Sequence, residues 1–150
     1  MIPIKSIFLG SLLFAFSANC LFAVAPILNI KATHPQDVSL EAGLILGPDF
    51  GSDWSSSSHG LALSIEPGKS GHKAHVGYGY FEAAPGMIRS LRVTGTYYWD
   101  AGHVSSSAPS DDYYGFQVTG GLWFVVCSAG VLWNTQSSDS VVTFGVGVGF

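Results

Sequence analysis

From Val38 to Phe150 the chain alternates between apolar and polar or small residues with a period of two, and no segment in that stretch sustains a helical period. Such alternation predicts β-strands with one apolar face. The candidates are 38–47, 59–66, 72–81, 87–99, 113–121, 125–133 and 140–150, and "PILNIKAT" before the "HPQD" turn supplies an eighth. Turn-rich stretches separate them: "GPDFGSDWSSSS", "PGKSG", "EAAPG", "AGHVSSSAPSDD" and "NTQSSD". Between Gly121 and Val125 no polar turn residue marks a break. A break is still required, because a single strand over 113–133 would run roughly 70 Å at about 3.3 Å per residue.

Sorting each strand by parity separates two faces. One carries Val38, Leu40, Leu44, Leu61, Leu63, Ile65, Val76, Tyr78, Leu91, Val93, Tyr97, Phe116, Val118, Val131, Val142, Phe144, Val146, Val148 and Phe150, with Arg89 as its one charge, at a strand end. The other carries Glu41, Glu66, Lys73, His75, Arg92, threonines, serines and most of the strand glycines, with Tyr98, Gln117 and Trp123 as its large members. Which face points inward decides the class of protein. An apolar interior would leave an exterior of glycine, serine and threonine with few charges and strands prone to pairing with other chains. An apolar exterior suits lipid, where a Lys or Arg at the midplane costs about 2 to 4 kcal/mol.

Composition favours the second arrangement. Charged residues make up 11% of the 150 positions, against about 25% in ordinary soluble domains. Lipid offers an open strand edge no hydrogen bonds, so a sheet facing it must close. The expected fold is therefore all-β: a closed antiparallel up-and-down transmembrane β-barrel of about eight strands. Inward glycines then make room in a lumen that side chains fill.

Ahead of the strands, Lys5 and the apolar run "IFLGSLLFAF" have the form of a cleavable export signal, too short for a transmembrane helix. Residues 1–25 are expected to be the signal, with "AVA" at 23–25 fitting the small-x-small rule, and 26–150 the barrel. Pro26 is a poor residue after a cut, and cleavage after Ser17 is the second candidate. "SANC" around Cys20 departs from a lipoprotein box at Ser17 and Asn19. Removal of 1–25 takes Lys5 and Cys20 away and leaves five Lys/Arg against ten Asp/Glu, a net charge of −5. That balance excludes nucleic acid as a natural partner. Cys127 would then be the one cysteine, so no internal disulfide forms, and no zinc-type spacing is present.

The last strand, "VVTFGVGVGF", ends on Phe150 with Val148, Val146 and Phe144 at alternating positions before it. It resembles the C-terminal signature of bacterial outer-membrane β-barrel proteins, and the wider architecture resembles small barrels of the OmpA, OmpX and OmpW type. The resemblance implies outer-membrane location, outer-membrane lipid and the barrel assembly machinery as partners, and Phe150, Val148, Val146 and Phe144 as the assembly signal. It also implies a periplasmic C-terminus, which puts the 100–112 loop outside the cell, where it could meet an extracellular ligand. Tyr97, Trp99, Tyr114 and Trp133 then form one aromatic girdle, and Tyr78, Tyr80, Leu122, Phe124 and Phe150 the other.

Candidate chemistry begins with the inward charges Glu41, Glu66, Lys73 and Arg92. They form either a static network or a gate in which an Arg–Glu bridge plugs the lumen. "HVSSS", with His103 and Ser105, superficially resembles the His-x-Ser of a lipid A deacylase, although it falls in a polar loop where those enzymes use a late strand, and "SSHG" offers Ser58 and His59 as a second pair. His72 and His75, an odd spacing apart on a strand, should face opposite ways and share no metal. The expectation is a non-enzymatic barrel with a structural or surface-interaction role, without metal or cofactor. The alternatives are a lipid-modifying enzyme of the outer membrane and a soluble periplasmic lipocalin-like carrier.

Overall fold

The structure, a computed structural model, describes residues 22–52, 54–99 and 112–150. They form a closed barrel in which each of eight strands pairs with its sequence neighbours and β1 pairs with β8. The strands are β1 (Phe22–His34), β2 (Asp37–Pro48), β3 (Ser56–Gly68), β4 (Gly71–Ala84), β5 (Met87–Trp99), β6 (Tyr113–Leu122), β7 (Val125–Asn134) and β8 (Ser140–Gly149). Every pairing is antiparallel. "PILNIKAT" is thus the middle of a full strand, and β1 starts at Phe22, inside the segment expected to be removed as a signal.

The parity of the sequence becomes the two surfaces of the wall. Valines, leucines and aromatics at alternate positions of all eight strands are exposed, including Val93, Phe116, Val118, Val142, Phe144, Val146 and Val148. The intervening residues point inward and are buried or partly buried. The break after Gly121 is a tight turn at Trp123 and Phe124, where Trp123 takes a positive φ of 60°. Trp123 was expected inside; in the turn it projects from the rim, 58% exposed. The parity argument fails there because the turn interrupts the alternation.

At the other long connection, Asp49 bridges to Ser58 and Ser52 to Ser55, so the chain between β2 and β3 continues as an irregular hairpin. Its length is accounted for by pairing beyond the wall.

The barrel has two unlike ends. One bears the turns 35–36, 69–70 and 135–139, where Asp37, Lys69, Ser70, Ser137 and Asp139 lie. The opposite end bears Phe22, the C-terminus and the turns at 49–55, 85–86 and 123–124, and it exposes Phe50, Trp54, Trp123 and Phe124. Inside, Ala25, Ile27, Ile45 and Ala62 cluster toward this aromatic end with Phe81 against them. Tyr98, Tyr113 and Leu132 cluster toward the polar end with Val141. From Ile27 along β1, and from Tyr98 back along β5, the inward positions turn polar: Asn29, Lys31 and Thr33 on one strand, Thr96, Thr94 and Arg92 on the other.

Candidate functional site: a buried charge network in the lumen

The inward polar positions converge on two carboxylates. Glu41 of β2, 1% exposed, accepts from Asn29 Nδ2 at 2.8 Å, Lys31 Nζ at 3.0 Å, Ser64 Oγ at 2.7 Å and Arg92 Nη2 at 3.0 Å, and its Oε1 also takes the Arg92 Nη1 donor. The two-pronged arginine contact fixes orientation as well as charge. Glu66 of β3 accepts from Ser39 Oγ at 2.7 Å and Lys31 Nζ at 2.6 Å, with His75 Nε2 at 3.2 Å and Lys73 Nζ at 3.8 Å. Lys31 therefore joins the two carboxylates. Buried charges persist when they are paired and hydrogen-bonded in this way.

Local structure explains the convergence. Glu66 and Lys73 face each other across the β3–β4 hairpin. Asn29 and Glu41 are register partners on β1 and β2. Arg92 reaches Glu41 from β5, which is not a neighbour of β2, so this contact spans the lumen. Beside Lys31 the β1–β8 seam needs a small residue: a Cβ on Gly147 would lie 2.1 Å from Ile30 O and 2.6 Å from Lys31 Cα. Over the polar end, Gln36 Nε2 donates to Glu66 O and Gly71 O, and Tyr98 Oη donates to Ser70 O.

All four charges singled out from the sequence, Glu41, Glu66, Lys73 and Arg92, lie in this lumen network. Asn29, Lys31, Ser39, Ser64 and His75 complete it. Lys31 was missed although its inward parity could be read from "PILNIKAT", because that strand was only provisional.

His103 and Ser105 lie outside the described residues. Ser58 and His59 face opposite sides of the wall. Ser58 is buried, whereas His59 stacks on Phe50 at 4.7 Å and bonds to Tyr78 Oη, so the two cannot act as a pair. His72 sits against Trp99 on the outer face, while His75 points inward. Phe144, Val146, Val148 and Phe150 lie on the outer surface.

Two arrangements in the lumen resemble chemistry. Ligand atoms of Glu41, Glu66 and His75 lie within 4.8 Å of one another. However, the Lys31 ammonium is within 3.0 Å of both carboxylates and fills the role a bridging cation would take. Thr96 Oγ1 is 2.9 Å from His75 Nδ1, and His75 Nε2 is 3.2 Å from Glu66, the connectivity of a nucleophile, base and acid. All three are buried and Glu66 is shared with Lys31 and Ser39, so among the described residues the acid is already engaged and the hydroxyl lies inside the wall. Both arrangements are satisfied structural contacts.

No family model matches the chain, and no curated protein or solved structure shows significant similarity to it.

Proposed function

We propose that this chain is an exported protein of the bacterial outer membrane, a non-enzymatic barrel with a structural or surface-interaction role. One observation carries the reading: a closed barrel whose outer wall is an apolar band and whose mid-strand charges, among the described residues, lie in the lumen, the others lying toward the two ends. In water that distribution is inverted. In lipid it satisfies every requirement of a spanning sheet. The aromatics support it, with Tyr97, Trp99, Tyr114 and Trp133 near the polar end and Tyr78, Phe124 and Phe150 near the other. The polar, serine-rich sequence of 100–112, between β5 and β6, is the segment proposed to meet a ligand outside the cell.

The lumen network speaks against a conducting role. Arg92 and Lys31 tie strands across the interior, and the apolar clusters lie toward the two ends. Fractionation of expressing cells tests the reading. It predicts recovery with the outer membrane and a band that shifts between unheated and boiled samples on SDS gels. Soluble periplasmic recovery without a shift refutes it. Addition to a planar bilayer is expected to give no discrete conductance steps.

A further inference from the structure

Resting on the export reading, we propose that the signal is removed at the Ser17–Ala18 bond, so that the mature chain starts at Ala18 and retains the whole of β1. The small-x-small sequence at 23–25 is then a piece of barrel wall that only looks like a processing site.

The geometry of β1 supports this assignment. Its pairing with β2 runs without interruption from Phe22↔Pro48 through Ala25↔Ile45 to Thr33↔Asp37. The inward and outward alternation is already established there, with Val24 exposed and Ala25 and Ile27 buried. Ala25 packs with Ile27, Ile45 and Ala62 in the cluster near the aromatic end. A cut after Ala25 would remove that contact and strip the backbone partners from Ile45–Pro48 of β2. In a membrane each polar backbone group left without a partner is expensive.

Pro26 points the same way. Leu28 N–H donates to Phe150 O and Phe150 N–H to Leu28 O, which closes the end of the β1–β8 seam. By the period of two, the position on β1 whose N–H would next face that edge is residue 26, where proline has no N–H to leave unpaired. Proline inside a strand belongs at such an edge. The same ring makes Ala25–Pro26 a poor bond to cut, since its nitrogen is a tertiary amide locked in the pyrrolidine. Ala15, Phe16 and Ser17, by contrast, offer small-x-small at the end of the apolar run of 7–16.

A consequence follows for the thiols: Cys20 stays with the protein, and the mature chain holds two cysteines, Cys20 and Cys127. The test is N-terminal sequencing and intact mass of the protein purified from membranes, with maleimide labelling in SDS. The expected result is a chain beginning Ala18, Asn19, Cys20 that takes two labels. Ser17→Leu should accumulate uncut precursor, and Ala25→Leu should leave maturation unchanged. A start at Pro26 with one label, an acylated start at Cys20, or an uncut membrane protein overturns the site. Fractionation of the same cells judges the export reading separately: a barrel starting at Pro26 in the outer membrane refutes only the cleavage site, and a cytosolic chain starting at Met1 refutes export.

Discussion

Replacing Lys31 with methionine removes the one ammonium that joins both lumen carboxylates. Its Nζ lies 3.0 Å from Glu41 Oε2 and 2.6 Å from Glu66 Oε2, all of them buried. At an effective dielectric of about 20, each attraction is worth roughly 5 to 6 kcal/mol before desolvation is charged against it. Desolvation of Lys31 itself is relieved by the change, and Arg92 and His75 remain beside the carboxylates. The net cost should therefore be that of breaking a buried pair, about 3 to 5 kcal/mol. The partner change Glu66→Gln also destabilises, since it takes the carboxylate from Lys73 and leaves Lys31 with Glu41 alone. The double variant Lys31→Met/Glu66→Gln should recover about 1 to 3 kcal/mol relative to the sum of the single changes. The assay is reversible urea unfolding in detergent micelles, followed by tryptophan fluorescence and by the heat-dependent gel shift. A single-variant cost below about 1 kcal/mol, or strictly additive changes, would refute the view that Lys31 is the hub.

Three further outcomes follow from particular contacts. Gly147→Ala places a Cβ 2.1 Å from Ile30 O at the β1–β8 seam, and should cost about 1 to 3 kcal/mol and reduce the yield of heat-modifiable barrel after refolding. Trp123→Asn relieves a bulky residue held at φ 60° and should raise the unfolding free energy in micelles by about 1 kcal/mol if the left-handed penalty is fully released, read as a higher urea midpoint. Val118→Lys, in mid-strand on the outer wall of β6, should cost about 2 to 4 kcal/mol in a phospholipid bilayer; a cost below about 0.5 kcal/mol there would show that this face does not meet hydrocarbon.

The two-residue alternation made most of the wall legible in advance, because it states both that a segment is a strand and which residues share a face. It even separated His72 from His75. Where alternation lapsed, the reading was incomplete. The apolar turn at Trp123 and Phe124 lacks the glycine or asparagine that normally announces a positive φ, so the tryptophan was assigned to the lumen. Tyr113, Leu132, Ile45 and Ile27 are inward apolar residues in strands whose other inward positions are mostly polar, and only the meeting of several strands turns them into clusters. Glu66 and Lys73 could be paired from one hairpin. The Arg92 contact with Glu41 depends on the curvature of a closed sheet, which local sequence does not encode.

The placement of charge ties fold to role. Among the described residues, Lys31, Lys73 and Arg92 lie inside the barrel with Glu41 and Glu66, while Arg89 and Glu82 pair near the aromatic end, 3.1 Å apart. The three buried cations exceed the two carboxylates by one, and Lys73, 3.8 Å from Glu66, is the most weakly held. A barrel evolved to pass ions would leave such groups hydrated along an open path. Here Asn29, Ser39 and Ser64 close around the acids beside the cations, which makes the network a strut between strands. Among the described residues, the surfaces beyond the wall are polar turns at one end and the exposed aromatics Phe50, Trp54, Trp123 and Phe124 at the other.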